Sequence, residues 1–202
     1  MNLVYRFAHH FFKWWFRLFY RHRVYGEENI IEGAAILAPN HASFYDPPLI
    51  SGSTSRNVHY LARASLFERP LLGFIIRKLN AHPVSRTAQD SASFKMIGNL
   101  LKQGDLVVIF PEGIRTWDGN PLPLNLGVAM LAVRNNVPII PVYIKGTFDC
   151  WPRTRKYPKL FGRTVCHFGK PIYPANYSHL DKKTAQKEIT HALEEALNLL
   201  SS

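Results

Sequence analysis

The chain has 202 residues, of which 47% are hydrophobic and 19% are charged, a composition that excludes a disordered chain and is typical of a single globular domain. The formal net charge of +11 favours an anionic partner, which can be nucleic acid, an anionic lipid surface or a phosphorylated substrate. Cys150 and Cys166 have neither a disulfide-framework spacing nor a metal-ligand spacing, and no glycine-rich nucleotide-binding fingerprint is present.

Residues 3–22 are predicted to form an amphipathic helix rich in aromatic side chains. Apolar and basic residues each recur at spacings of three or four, as Val4, Phe7, Phe11, Trp14 and Leu18 on one face and Arg6, His10, Lys13, Arg17 and Arg21 on another. The basic residues interrupt the apolar stretch, so it fits neither a transmembrane helix nor a cleavable signal peptide. An aromatic face opposite a basic face is typical of a helix lying in the headgroup layer of a membrane. The alternative is a helix packed on the domain with a solvated basic face.

We therefore predict an interfacial helix over residues 1–23 and a globular domain over residues 24–202, in which apolar runs alternate with helical patterns. The predicted strands are Ala34–Ala38, Val58–Ala62, His82–Val84, Leu106–Phe110, Val137–Ile144 and Thr164–Phe168. The predicted helices are Pro48–Ser53, Leu71–Leu79, Ser91–Gln103, Gly127–Asn135 and Lys182–Leu200. Such alternation predicts an α/β fold with a single central, mostly parallel or mixed β-sheet flanked by helices.

Polar turns follow three of these strands and supply most of the candidate functional residues. They are Asn40, His41 and Asp46 after the first strand, Arg86 after the third, and Glu112, Gly113 and Arg115 after the fourth. A carboxylate that orients an imidazole makes that imidazole a competent general base. Guanidinium groups match phosphate in a two-pronged way, and a glycine lets the backbone approach a ligand closely. In a parallel sheet, such turns can gather at one edge.

Each of these residues also has an ordinary structural interpretation. A lone loop histidine is more often hydrogen-bonded than catalytic, and Asp46 suits a helix N-cap. Glu112 suits an ion pair with Arg115, and Arg86 suits an exposed surface position. Residues 151–163 interleave basic and aromatic side chains, which fits single-stranded nucleic acid, anionic lipid, the phosphates of coenzyme A or a solvated loop.

Taken in order, three motifs resemble those of the glycerolipid acyltransferases, and they are most similar to the 1-acyl-glycerol-3-phosphate acyltransferase branch. The motifs are Asn40-His41-x-x-x-x-Asp46, Phe110-Pro111-Glu112-Gly113-x-Arg115 and Val137-Pro138-Ile139-Ile140-Pro141-Val142, and Val84-Ser85-Arg86 matches a less distinctive family motif. The resemblance runs from about residue 24 to residue 172. One stretch departs from it: Leu124-Asn125 stands where many relatives have Phe-Lys, which makes the acceptor headgroup less secure than acyl transfer.

The resemblance implies transfer of an acyl chain from a thioester to the free hydroxyl of 1-acyl-glycerol-3-phosphate, giving phosphatidic acid in phospholipid biosynthesis. It implies that His41 is the general base, that Asp46 orients it, and that the hydroxyl attacks directly without an acyl-enzyme on Ser43. The implied acceptor-binding residues are Asn40, Arg86, Glu112, Gly113 and Arg115.

The same resemblance implies acyl-CoA or acyl-carrier protein as co-substrate, with no bound cofactor, no metal and no nucleic acid. Together with the basic N-terminal helix, it predicts a peripheral or monotopic protein that works on an anionic membrane surface, at the cytoplasmic face. One alternative is an acyltransferase for another lysophospholipid. The other, of a different class, is a non-catalytic basic protein that binds membranes or nucleic acid, which the charge permits but which needs none of the three motifs.

Overall fold

The structure, a computed structural model, describes residues 3–84 and 91–202, over which seven strands form one mixed β-sheet. The strands are β1 (Arg23–Tyr25), β2 (Ala35–Pro39), β3 (Val58–Arg63), β4 (Ala81–Val84), β5 (Leu106–Val108), β6 (Ile139–Lys145) and β7 (Val165–Phe168). Their order across the sheet is β1-β7-β6-β2-β5-β3-β4, and β6 and β7 are antiparallel whereas all the other neighbouring pairs are parallel. The predicted α/β class is confirmed, and β1 is an edge strand that no sequence pattern indicated.

Helices cover both faces of this sheet. They are α1 (Leu3–Phe19), α2 (Asp46–Ser53), α3 (Pro70–Lys78), α4 (Ser91–Lys102), α5 (Gly127–Asn135), α6 (Thr147–Cys150) and α7 (Lys182–Ser201). All predicted helices are present, and the single-turn helix α6 is an addition. The predicted helix over residues 3–22 ends earlier, at Phe19, because Arg21 adopts a left-handed backbone conformation with φ of 43°.

Two hydrophobic cores lie on opposite faces of the sheet, because successive residues of a strand point to opposite sides. Leu37 of β2 packs with α1 and α2 in one core, whereas its neighbour Ile36 packs with α4, α5 and α7 in the other. The central strands β2 and β5 are buried throughout, as expected for parallel strands covered on both faces. The rigid centre of the fold therefore lies directly beneath the turns that carry the candidate residues.

Helix α1 has two apolar faces. The inner face joins the first core through Tyr5 and Phe16, and α1 approaches α2 so closely that a Cβ on Gly52 would lie 3.0 Å from the backbone nitrogen of Lys13. The outer face exposes the predicted apolar stripe, with Phe7 74% and Trp14 66% exposed. Within residues 3–84 and 91–202, no helix is sufficiently long and apolar to cross a bilayer.

His22 links the end of α2 to the start of β7. Its Nδ1 lies 2.9 Å from Oγ1 of Thr164, and its Nε2 lies 2.8 Å from Oγ of Ser53. Burial lowers the pKa of His22 to about 4, although a hydrogen bond with Thr164 acts in the opposite direction. The folded protein therefore holds the neutral ring, whereas the unfolded chain takes up a proton near its ordinary pKa of about 6.5.

The first prediction concerns stability against pH. Because the folded pKa is depressed, the contribution of His22 is complete above about pH 6.5 and is lost as the pH falls toward 4, at a cost on the order of 3 kcal/mol. Urea unfolding at pH 7 and pH 4 measures this loss. We expect His22→Gln to reduce the difference between the two pH values and His179→Gln, at an exposed histidine, to leave it unchanged. An unaltered pH dependence in His22→Gln contradicts this assignment.

Candidate active site

The turns after β2 and β5 meet at one edge of the sheet because these two strands are parallel neighbours. The backbone N–H of His41 donates to Oε1 of Glu112 at 3.1 Å, and the N–H of Thr116 donates to the carbonyl of His41 at 3.0 Å. The Asn40–Asp46 motif and the Phe110–Arg115 motif thus lie side by side. Arg86, two positions after the last residue of β4 in the sequence, lies outside the described residues.

His41 and Asp46 form a hydrogen-bonded pair at the centre of this site. Nδ1 of His41 lies 2.8 Å from Oδ2 of Asp46, whose carboxylate is fully buried. The same oxygen accepts the backbone N–H groups of Ala42 and Ser43, each at 2.7 Å, and Oδ1 accepts the hydroxyl of Thr147 at 2.7 Å. Because the carboxylate accepts, Nδ1 carries the ring proton and Nε2 keeps a lone pair, which is the arrangement of a general base.

The ring of His41 is further restrained by Phe110, the residue two positions after β5. The two rings stack with centroids 3.8 Å apart and an interplanar angle of 23°. The side chain of His41 remains 17% exposed, whereas its partner Asp46 has no exposed surface. The histidine is therefore held in one orientation and still has access to a reactant.

Two of the ordinary structural interpretations considered from the sequence do not hold. Asp46 does not cap α2: the N-cap residue is Tyr45, and the carboxylate of Asp46 accepts N–H groups from the preceding loop instead. Glu112 does not pair with Arg115, because every ion pair among residues 3–84 and 91–202 has a histidine as its cationic partner. Asp46 is thus engaged by the loop that precedes α2, and Glu112 by the distant loop of His41.

Glu112 is a buried carboxyl group with an unusual protonation equilibrium. Burial raises its pKa to about 7, against the effect of the backbone N–H groups of His41 and Leu122, and the nearby charge of Asp46 raises it further. Near neutral pH this group therefore exists in both forms, so it can accept a hydrogen bond or donate one to an oxygen of a ligand.

Asn40 has its side chain engaged with strand β6. Its Nδ2 donates to the carbonyl of Ile144 at 3.0 Å, and its Oδ1 accepts the N–H of Ile144 at 2.7 Å. The carboxamide thus mimics a backbone pair across the end of the sheet. This geometry favours support of the turn that carries His41 over direct contact with a substrate.

The turn Pro111–Gly113 is closed by Asn125, the residue at which the sequence was expected to depart from the family pattern. Nδ2 of Asn125 donates to the carbonyls of Pro111 and Glu112 at 3.0 and 3.2 Å. Gly113 has φ of 74°, a conformation that suits glycine, and an added Cβ would lie 3.3 Å from Nδ2 of Asn125. In this chain Asn125 therefore supports the turn of the Phe110–Arg115 motif.

Arg115 and Ser43 complete the surroundings of the pair. The guanidinium of Arg115 lies over the ring of Phe44, with Cζ 3.7 Å from the ring centroid. The hydroxyl of Ser43 donates to the carbonyl of Trp151 at 2.7 Å and accepts the N–H of Tyr45 at 3.0 Å. Ser43 is fully buried in this network, so its geometry matches a structural residue and not a nucleophile.

Sequence reasoning missed the roles of Phe110, Asn125 and Thr147. Phe110 lies within the Phe110–Arg115 motif. Asn125 lies in the stretch that departs from the family pattern, and this departure was the signal in the sequence that could have indicated its role. Thr147 has no such signal, because it lies 101 positions from Asp46 and follows β6 in a one-turn helix. Across the described residues, no group of three or more metal-ligating side chains has the geometry to hold a metal ion.

A family model described as Acyltransferase matches residues 21–145, which include both halves of this site. The chain belongs to this acyltransferase family. It is 29% identical over 182 residues to the 1-acyl-sn-glycerol-3-phosphate acyltransferase of Bacillus subtilis, a match that covers 89% of the chain and 88% of the relative.

More distant sequences and a crystal structure show the same similarity. A chloroplastic 1-acyl-sn-glycerol-3-phosphate acyltransferase of Brassica napus is 28% identical over 96% of the chain, which spans only 57% of that relative's length. The crystal structure of the 1-acyl-sn-glycerophosphate acyltransferase PlsC of Thermotoga maritima superimposes with a TM-score of 0.72 at 29% identity, covering 95% of the chain and 77% of that protein. The family and the mixed α/β sheet are therefore established together.

The second prediction concerns Thr147, the residue that satisfies Oδ1 of Asp46. Thr147→Val keeps the shape of the side chain but leaves a buried carboxylate oxygen without its donor, which is expected to cost about 1–3 kcal/mol of stability. We expect a matching fall in acyl-transfer rate, because Asp46 becomes free to move. Thr147→Ser, which keeps the hydroxyl, should retain most of both. Chemical denaturation and an acyl-transfer assay measure the two effects, and equal behaviour of the two variants contradicts this role.

Proposed function

We propose that this protein is a 1-acyl-sn-glycerol-3-phosphate acyltransferase, which transfers an acyl chain to lysophosphatidic acid and forms phosphatidic acid. The observation that carries the proposal is the His41–Asp46 pair beside the turn of Glu112 and Arg115, held together by the hydrogen bond from His41 to Glu112. The named relatives and the PlsC structure support the same substrate class. The chain's membership of the acyltransferase family supports the reaction type.

In the proposed mechanism, Nε2 of His41 removes the proton from the free hydroxyl of the acceptor's glycerol. The hydroxyl oxygen attacks the thioester carbonyl, a tetrahedral intermediate forms, and its collapse breaks the carbon–sulfur bond and releases the thiolate. The imidazolium of His41, stabilised by Asp46, then returns the proton to the thiolate sulfur. The transfer is direct because the thioester is already activated and Ser43 is committed to its hydrogen bonds.

The proposed acceptor site uses the basic and polar residues of the surrounding turns. Arg115 contacts the phosphate, joined by Arg86. Glu112, with its raised pKa, meets an oxygen of the glycerol, and the backbone at Gly113 lies close to the ligand. Asn40 contributes by holding the turn that carries His41. The donor is acyl-CoA or acyl-carrier protein, and neither a bound cofactor nor a metal has a part in this chemistry.

We also propose that the outer face of α1 lies on an anionic membrane, at the cytoplasmic face. Its exposed apolar residues include Leu3, Phe7, Phe11, Trp14 and Leu18. The loop residue Phe161, 65% exposed, extends this surface because its ring lies 5.9 Å from that of Phe19. Basic residues beside exposed aromatic rings suit the interface between headgroups and acyl chains, where the lipid substrate is found.

The third prediction tests the catalytic base. His41→Ala removes the proton acceptor and is expected to lower kcat by about 10²–10⁴-fold with lysophosphatidic acid and acyl-CoA. Thiol release and mass spectrometry of the lipid product measure the reaction. His179→Ala, at an exposed position, is the matched control and should keep full activity. Full activity of a folded His41→Ala protein overturns the mechanism.

A panel of acceptors tests the substrate separately from the base. Lysophosphatidic acid should be preferred over lysophosphatidylglycerol and lysophosphatidylcholine. Preference for one of the others would indicate a different lysophospholipid acyltransferase. Absence of transfer to any of them would favour the non-catalytic binding protein.

The fourth prediction tests the membrane surface of α1. Changing Arg6, Lys13, Arg17 and Arg21 together to Gln is expected to weaken binding to anionic vesicles about tenfold or more, because each basic residue near such a surface contributes about 1 kcal/mol. The control changes Lys170, Lys182, Lys183 and Lys187 to Gln, which removes the same charge from another part of the molecule. Vesicle sedimentation at low salt measures both, and equal effects in the two variants count against a specific α1 surface.

A further inference from the structure

Two arginines from different segments each lie on an aromatic ring, and a hydrogen bond joins the side chain of one to the backbone of the other. Cζ of Arg115 lies 3.7 Å from the ring centroid of Phe44, and Cζ of Arg153 lies 3.5 Å from that of Trp117. Nη1 of Arg153 donates to the backbone carbonyl of Arg115 at 3.0 Å. The segment that carries Arg153 is in turn joined to the His41 loop, because the carbonyl of Trp151 accepts from Ser43.

Within residues 3–84 and 91–202, neither guanidinium has a carboxylate partner. Among the described residues, no ion pair involves an arginine, and Nη1 of Arg115 is shielded from solvent without a hydrogen-bond partner. The pKa of Arg115 is lowered by burial first and then by the positive charges of Arg153 and Arg63, whereas Asp46 raises it. Both oxygens of Asp46 already accept hydrogen bonds from other groups, so Asp46 attracts Arg115 without forming an ion pair with it.

Like charges held together in a partly buried place repel each other unless an anion lies between or beside them. The ring faces of Phe44 and Trp117 offset part of this repulsion through cation–π contacts and fix the planes of the two guanidiniums. Planar, oriented guanidiniums are suited to the two-pronged hydrogen bonding of phosphate. The arrangement is therefore prepared for a ligand of more than one negative charge.

We propose that Arg153 is a specificity-determining residue that acts with Arg115 to select an acceptor with a terminal phosphate over one with a phosphodiester. This inference rests on the proposed acyltransferase function and adds a residue from outside the three sequence motifs. A phosphomonoester carries about −1.5 to −2 charges at pH 7 and three free oxygens. A phosphodiester offers one charge and two free oxygens, so it cannot satisfy both guanidiniums equally well.

Arg155 is the natural control within the same basic segment. It lies two positions from Arg153, but its Nη1 donates to the carbonyls of Asp149 and Cys150 at 3.0 and 3.4 Å. Arg155 is exposed. Among the residues that the structure describes, it forms no hydrogen bond with Arg115 and no cation–π contact with Trp117. Replacing either arginine by Gln removes the same charge, so any difference between the variants reports position and not net charge.

The fifth prediction compares Arg153→Gln, Arg153→Lys and Arg155→Gln with the wild type. At saturating acyl-CoA, Arg153→Gln should raise KM for lysophosphatidic acid about 10- to 100-fold, the usual range for loss of a hydrogen bond to a charged group, with kcat changed by much less. Its kcat/KM preference for lysophosphatidic acid over lysophosphatidylglycerol should fall correspondingly. Arg153→Lys should recover part of the affinity, because it restores charge without the planar fork. Arg155→Gln should match the wild type.

Three results overturn the inference. One is an unchanged KM for lysophosphatidic acid in Arg153→Gln. Another is an equal fall in kcat/KM for lysophosphatidic acid and lysophosphatidylglycerol in this variant. The third is a raised KM for acyl-CoA together with an unchanged KM for an acyl-pantetheine donor, since the phosphates bound would then be those of coenzyme A. Circular dichroism shows whether Arg153→Gln folds. If it does not, the kcat/KM preference for lysophosphatidic acid over lysophosphatidylglycerol is measured in Arg153→Lys, and an unaltered preference there also overturns the inference. Acyl transfer to lysophosphatidic acid by the wild type tests the proposed function, and it does so independently of the KM and kcat/KM values of the variants.

Discussion

The buried carboxylate of Asp46 is the constraint on which the rest of the site depends. A charged group without solvent contact is very costly unless donors surround it, and here four hydrogen bonds do so. Two come from the backbone of the loop after β2, one from His41 and one from Thr147 after β6. The carboxylate therefore sets the path of the loop, the tautomer of the histidine and the position of α6 at once. A base held in this way needs little rearrangement when a reactant arrives.

The charged groups around His41 and Asp46 are of two kinds: the buried carboxyl groups of Asp46 and Glu112, and the guanidiniums of Arg115 and Arg153. Burial and the nearby charge of Asp46 keep the pKa of Glu112 near neutrality, so the interior does not accumulate a second full negative charge. In the part of the chain that the structure describes, Arg115 and Arg153 rest on aromatic rings and form no ion pair. The net charge of +11 thus includes a local cluster beside the base, where an anionic acceptor would bring its hydroxyl toward His41.

Helix α1 connects the site to its surroundings through its two faces. Its inner face contributes Tyr5 to the core and reaches β3 through a hydrogen bond from the N–H of Val58 to the Tyr5 hydroxyl at 3.1 Å. Its outer face leaves large aromatic side chains in contact with solvent. The interfacial helix and the packed helix considered from the sequence are therefore compatible, because a helix with apolar residues on two sides can do both.

Periodicity and the order of motifs were enough to establish the α/β class, nearly all helices and strands, and the nearness of His41 to Asp46 and Glu112. These features depend on local patterns, or on the general rule that parallel strands bring their following turns to one edge. The three-residue strand β1 escaped detection because it is defined by pairing with β7 and not by a pattern of its own. The alternative of a helix cap at Asp46 does not hold, because its carboxylate accepts hydrogen bonds from the preceding loop and from Thr147 instead.

The contributions of Thr147, Asn125 and Arg153 depend on contacts between distant parts of the chain. Thr147 reaches Asp46 across 101 positions because β6 lies next to β2 in the sheet, and Arg153 reaches Arg115 across 38 positions. No periodicity or spacing encodes such contacts, since they follow from the order of the strands and the exits of their loops. The amino-acid pattern therefore predicted the base and indicated the reaction class, whereas folding determined which side chains hold His41 and Asp46 in place and which arginine contacts Arg115.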